Sequence, residues 1–303
     1  MRFLVIAVSC VVSVATADEH GQAPPYSVRS SVVTGGITTG NAPATSNFLF
    51  NANNFAAFWY DETSGATGTS SETIEYTDAQ TTAGSAPAIA AVGGSFAKET
   101  LVYKAVRQQV NSEIGKTYGA GAPKSYKPDG STEIGNYYKL GWLGEEYYCV
   151  GGDVTKLAKI LLEFDSNDKK TLSTGEEWDL GGGYTLIPQQ IDLDGNKVWM
   201  QLKKNGVEVD SAVVDTSAGA NRVFLYKDAD DNPVCYVYVD AVFRGVESNL
   251  VQLTYAFLRT EDKTTVETDQ TFGAFKITST SGNALTAVNS NAITLSQDSD
   301  CLL

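Results

Sequence analysis

Apolar and polar residues alternate along much of this chain, and the alternation is clearest in its second half. Ile191-Asp192-Leu193 leads into Asp194-Gly195, a favoured two-residue hairpin turn, and Lys197 to Leu202 returns with Val198, Met200 and Leu202 on one face. Lys203-Lys204 then meets Asn205-Gly206, a second hairpin turn, and Val207-Glu208-Val209 follows. Two such turns eleven residues apart predict a three-stranded meander. Further strands are expected over Arg222 to Tyr226, Val234 to Val242 and Leu250 to Leu258, with closing strands over Phe272 to Ile277 and Ala292 to Leu295. Val154 to Phe164 has helical length, but Ile160, Leu162 and Phe164 fall on one strand face, so strand is expected there.

The first half carries the same signal in shorter pieces. Asn47 to Phe50 and Phe55 to Glu62 read as strands, and Glu72 to Tyr76 places Ile74 and Tyr76 on one face. Tyr137 to Leu143 and Glu146 to Val150 are aromatic, β-prone runs. Gly and Pro recur from Gly119 to Gly130, which marks a loop. The pattern predicts an all-β, mainly antiparallel protein built of β-sandwich units, two packed sub-domains in one domain, with a boundary near residue 150.

The ends differ from this body. Met1-Arg2, the apolar run Phe3 to Val14 and the small-x-small Ala15-Thr16-Ala17 make a secretory signal peptide over residues 1–17. Residues 18–46 are rich in Gly, Pro, Ser and Thr and are expected to form a flexible leader; 47–295 is the folded domain and 296–303 a tail. No later run approaches the ~20 apolar residues of a membrane helix, so no transmembrane anchor is expected.

The signal segment holds one Arg and no acid, which leaves 21 basic against 36 acidic residues. Such a surface repels nucleic acid and anionic lipid and favours cations and basic partners. Export permits disulfides, and three cysteines follow the signal segment: Cys149, Cys235 and Cys301. Cys149 and Cys235 stand in strand-like surroundings, where a bridge between them and a pair of buried thiols are alternatives. Cys301 is the odd residue, either an idle thiol or an intermolecular link.

Catalytic constellations are scarce, and no enzyme activity is expected. The one histidine, His20, lies in the leader. Gly115-Lys116-Thr117 resembles the end of a phosphate loop, but Val110 stands where that loop needs its first glycine. Asp192 to Asn196 and Asp228 to Asn232 faintly resemble calcium loops, yet Lys197 and Pro233 occupy the glycine position, and Lys203 and Val239 the bidentate acid position. The first is better read as a hairpin turn. Asp228, Asp230 and Asp231 stay as weak Ca²⁺ candidates, with no other cofactor expected. Acid pairs such as Glu145-Glu146 and Glu176-Glu177 carry little weight among 36 acids. No Asn-x-Ser/Thr acceptor occurs.

One long central run carries a family resemblance. Lys156 to Leu162, Asp168 to Leu172, Gly175-Glu176-Glu177-Trp178-Asp179-Leu180-Gly181-Gly182-Gly183-Tyr184 and Gln190 to Trp199 resemble the S-layer duplication domain of methanogenic archaea, of the Methanosarcina type. Supporting matches are Phe58-Trp59-Tyr60-Asp61, Gly144-Glu145-Glu146-Tyr147, Val239 to Phe243 and Phe272-Gly273; Thr81 to Asn136 matches weakly. The resemblance implies a secreted, β-sandwich-rich structural unit that associates with itself or with homologous S-layer proteins into a porous, acidic surface layer. Members of the family usually carry two tandem copies and a membrane anchor, whereas a single copy without an anchor is read here, which suits an accessory lattice component. A secreted glycan-binding or adhesin module, using exposed aromatics, is the alternative.

Overall fold

The computed structural model describes residues 48–51, 58–59, 72–76, 95–118, 135–218, 220 and 222–294. The signal segment, the leader, Cys301 and most of the strand expected over Phe55 to Glu62 lie outside the described residues. The described residues are mostly antiparallel strand, with one short α-helix, Glu113–Tyr118, and a 3-10 turn at Val150–Gly152. They divide into two compact units, between which the chain passes after residues 107, 139, 146 and 265.

The first unit is organised on a six-stranded antiparallel sheet. Its order is Phe48–Asn51, Glu72–Tyr76, Leu101–Val106, Ala284–Asn289, Phe275–Ser279 and Thr271–Phe272. Leu101, Tyr103 and Ala105 alternate inward along the middle strand, as a half-buried strand requires. Register continues the row sideways: Tyr103 opposes Ile74 on one side and Ala287 on the other, and Ala287 opposes Ile277. Trp142 packs its edge on the Tyr103 ring at 5.3 Å, and Phe272 meets Trp142 at 5.4 Å. Asn289 is fully buried and ties the sheet end to a neighbouring turn, accepting from Leu101 N–H and donating to the carbonyls of Ala97 and Asn291.

The second unit is a β-sandwich. One sheet holds Trp178–Gly181, Tyr184–Asp192, Lys197–Lys204 and Val207–Asp215 in order. The other holds Lys169–Ser173, Asn249–Arg259, Pro233–Arg244 and Val223–Lys227, with Ile160–Glu163 also paired to Asn249–Arg259. The core forms where their inner faces meet. Leu186, Val198, Met200 and Leu202 come from the first sheet, and Leu172, Phe224, Val237, Val251 and Leu253 from the second, all 0% exposed. Each such side chain contributes about 1.5–3 kcal/mol over an exposed one.

Pro233–Arg244 is buried on both faces over its first seven residues. The reason is an aromatic layer on the side away from the sandwich. Tyr236, Tyr238, Phe257 and Val223 pack there against Tyr137, Tyr148, Val150 and Ala158, with Tyr236 and Phe257 stacked at 5.0 Å. Tyr148 and Ala158 belong to a further sheet of order Thr264–Thr265, Lys156–Ala158, Glu145–Cys149, Asn136–Trp142, Gln108–Asn111; its hairpin end at 140–146 belongs to the first unit.

The predicted meander is present, with one correction. Lys204 opposes Val207, so Asn205-Gly206 is a two-residue turn with φ of 51° and 80°, the geometry that Asn-Gly favours. Asp192 opposes Lys197, so the other connection is a four-residue turn rather than the two-residue one expected at Asp194-Gly195. The Asp192 carboxylate closes it by accepting Gly195 N–H at 3.0 Å.

Candidate assembly surfaces and the placement of the predicted site residues

The structure does not join Cys149 to Cys235; both are buried thiols. Strand alternation explains why. Tyr148 turns into the aromatic layer, so Cys149 beside it points to the opposite face of its sheet. Cys235 points into the sandwich core while Tyr236 turns into the aromatic layer. The two thiols therefore sit on opposite sides of that layer, and the alternative of buried thiols is the one realised. Burial pushes the Cys235 thiol up to about 12, with the Asp210 charge adding to the effect.

Asp228, Asp230 and Asp231 share one turn, but their charges are met from within the chain. Asp228 Oδ2 faces Arg259 Nη2 at 2.8 Å and Lys263 Nζ at 3.3 Å; its Oδ1 accepts the backbone N–H groups of Asp230 and Asn232, both at 3.0 Å. Burial alone would push this carboxyl up; the Asn232 N–H and the Arg259 guanidinium outweigh it and hold Asp228 well below the usual carboxylate range. Asp230 pairs with Lys263 at 2.9 Å and Asp231 with Lys227 at 3.1 Å. Among the described residues no group of three His, Cys, Asp or Glu side chains is placed to hold a metal ion.

The other candidates from the sequence resolve into local structure. Lys116 pairs with Glu113 inside the short helix. Glu176 accepts Ser173 N–H at 2.9 Å, and Glu177 meets Lys203 at 3.5 Å on the sheet face.

Two polar centres, one buried and one half-buried, carried no signal in the sequence beyond their residue types. Glu72 is 0% exposed and accepts hydrogen bonds from Trp59 N–H at 2.9 Å, Tyr103 O–H at 2.7 Å and Gly144 N–H at 2.9 Å. Burial raises its pKa, and those three donors offset part of the rise. In the second unit Glu261 accepts from Lys204 at 2.7 Å and from Tyr226 O–H at 2.5 Å. Both centres bind chain to chain. Neither leaves a carboxylate paired with a second acid, the arrangement a glycosidase needs.

What the second unit offers outward is a sheet face and a hairpin end. Outward residues of the four-stranded sheet form rows across it. Gln190, Trp199 and Val213 make one row, and Asp192, Lys197 and Asp215 the next. Trp199 is 41% exposed and Val213 63%. A hydrogen-bonded polar strip, Gln189 to Gln201 to Glu208 with Ser211, borders them. Asp215 is held below the ordinary carboxylate range by the hydroxyl and N–H of Ser217.

The hairpin joins the two longest strands. Phe243 opposes Leu250, Arg244 opposes Asn249, and Gly245 N–H closes the turn on Ser248 O at 2.9 Å. Phe243 is 39% exposed and Val246 fully so, at 104%. Asn249 anchors this end to the adjoining sheet by donating to Ile191 O at 3.1 Å, while its own carbonyl accepts Thr174 N–H.

An acidic sandwich whose polar centres serve its own rigidity, and which shows apolar side chains on a sheet face and a turn, agrees with what comparison with known proteins finds. The model of the S-layer protein family matches residues 39–303. The chain belongs to the S-layer protein family. It is 32% identical over 258 residues to the major S-layer protein of Methanosarcina acetivorans, covering 82% of this chain and 34% of that protein. The major S-layer protein of Methanosarcina mazei is 31% identical over 293 residues, 94% of this chain and 39% of its own length. That of Methanosarcina barkeri is 33% identical over 254 residues, 82% and 34% of the two chains. This S-layer family chain thus spans between a third and two-fifths of the length of these relatives.

Proposed function

We propose that this chain is a structural component of a cell-surface layer, exported through residues 1–17 and acting by lateral association into a porous, acidic barrier. The observation that carries the proposal is the family match over 39–303, and the fold supports it: antiparallel sheets with cores of their own, joined by short turns. A lattice unit must hold its shape while its edges bear load, and such sheets do so. With 36 acidic against 21 basic residues after the signal segment, the layer would concentrate cations and slow anions at its pores. The chain is proposed to be no enzyme, its buried acids being consumed by its own donors. No helix of the described residues is long and apolar enough to cross a membrane.

The test is fractionation of the native cells with electron microscopy of the isolated envelopes, using an antibody to this chain. Recovery in the envelope, with labelling of an ordered layer, is expected; recovery only in the culture medium would sink the proposal. A secreted glycan-binding module is the second reading, favoured by Trp199, exposed between Gln190 and Val213 on a sheet face. Binding to cell-wall glycans that is lost in Trp199→Ala, in a chain that never enters the envelope, would decide for it.

A further inference from the structure

Resting on the lateral association just proposed, we infer that the 243–249 hairpin end of one copy docks on the Trp199–Val213 patch of a second copy.

The hairpin end has the wrong chemistry for a solvated turn. Turn tips are ordinarily polar. Here Val246 is fully exposed and Phe243 stands out beside it, with Arg244 between them in sequence. The end is also held in place, by the Gly245–Ser248 turn bond and by Asn249 on Ile191 O, so docking it loses little conformational freedom. The patch is its complement. Trp199 and Val213 are opposed across two strands and supply an apolar floor; the neighbouring row places the Asp192 and Asp215 carboxylates beside it with Lys197 between them, and Glu208 in the bordering strip keeps the rim net acidic.

Charge selects the occupant. Two copies that each carry 36 acidic against 21 basic residues repel at every face where acid meets acid, so a stable contact has to bring a cation to an acidic rim. The lysines of the second unit are largely committed to their own acids: Lys139 to Glu163, Lys203 to Glu177, Lys204 to Glu261, Lys227 to Asp231 and Lys263 to Asp228. Arg244 is exposed and makes no ion pair among the described residues. An arginine beside two apolar side chains fits a tryptophan face bordered by carboxylates, by stacking as well as by charge. The exposure of Val246 shows that its own chain's patch does not receive it. A contact between two different surfaces of identical chains also propagates, as a sheet-forming assembly requires.

The test uses the purified full chain, with sedimentation velocity across a concentration series. Urea midpoints verify that each variant is folded. Val246→Ser and Arg244→Glu at the tip, and Trp199→Ser on the patch, are each expected to weaken association about tenfold or more. Val213→Lys should weaken it as well, by repelling Arg244, and a mixture of the V213K and R244E chains should recover it, since the unaltered tip of the first then meets the unaltered patch of the second, and the altered tip meets the altered patch with opposite charge. Tip variants that associate like the wild type overturn the inference and leave lateral association standing. Loss from the tip variants alone, with no rescue in the mixture, overturns the assigned patch. A folded wild-type chain that remains monomeric throughout overturns both.

Discussion

Replacing Arg259 by Met should destabilise the second unit severely. The guanidinium is 0% exposed. It donates from Nε to Pro233 O at 2.7 Å, from Nη1 to Thr260 O at 2.8 Å and from Nη2 to Asp228 Oδ2 at 2.8 Å, and it lies 5.5 Å from the Tyr148 ring centre. Methionine approximates the apolar stem but supplies no donor. Two carbonyls then lose a partner, at about 1–3 kcal/mol each, and Asp228 keeps Lys263, the Asn232 amide and its backbone donors. The expected loss is about 3–5 kcal/mol, the range for breaking a buried pair by removing one partner. That corresponds to a fall in Tm on the order of 10 °C. Arg259→Lys should recover part of it, because an ammonium keeps the charge but not the planar fork.

The pH profile provides the second arm of the same experiment. Asp228 is held below its unfolded value in the native chain, so its contribution is complete above a pH of about 4 and is lost as pH falls toward the lower native pKa. Removing the guanidinium lets that pKa rise, and the acid limb of stability against pH should become shallower. Asp228→Asn should cost less in the R259M background than alone, which a double-mutant cycle in urea reads directly. An R259M midpoint within about 0.5 kcal/mol of wild type would refute the reasoning. So would an unchanged acid limb.

Three further outcomes are expected. Gly206→Ala should cost about 1 kcal/mol in urea unfolding through its φ of 80° alone, since nothing lies within 4 Å of the added carbon; a neutral result would show that the turn relaxes. Cys149 and Cys235 should resist a thiol reagent in the native chain and react on unfolding, and a reductant should leave Tm unchanged. Glu72→Gln should lose about 1–3 kcal/mol at pH 7 by replacing an acceptor oxygen with a donor. Because the native pKa of Glu72 is raised from 4.5, wild-type stability should fall as pH rises from 4.5 through the native value, and this falling limb should vanish in the variant.

Local pattern carried the second unit and failed in the first for a physical reason. The strands at 184–215 are joined in sequence by short turns, so alternation and Asn-Gly chemistry suffice to pair them. In the first unit the central pair is Leu101–Val106 with Ala284–Asn289, strands some 180 residues apart, and neither stood out. Leu101-Val102-Tyr103-Lys104-Ala105 does alternate, but its inward residues include a small Ala, and Ala284-Leu285-Thr286-Ala287 is weaker still. Such strands are recognised by the partners they find, since β-propensity is largely packing against neighbours.

The same distinction governs the site residues. Sequence spacing suggested a cation for Asp228, Asp230 and Asp231, and a cation is indeed what Asp228 has, but it is the guanidinium of Arg259, 31 residues further on. The cysteines looked equivalent because both stand in β-prone runs; which face each occupies depends on strand phase and on the aromatic layer between them, and that layer draws on residues from 114 to 257. Hydrophobic pattern identifies which strands exist and which side of each is apolar. It cannot state which of two apolar sides faces another sheet and which faces water. In this chain that choice separates a buried Val198 from the Trp199 beside it, and it is at residues such as Trp199 that the assembly function is sought.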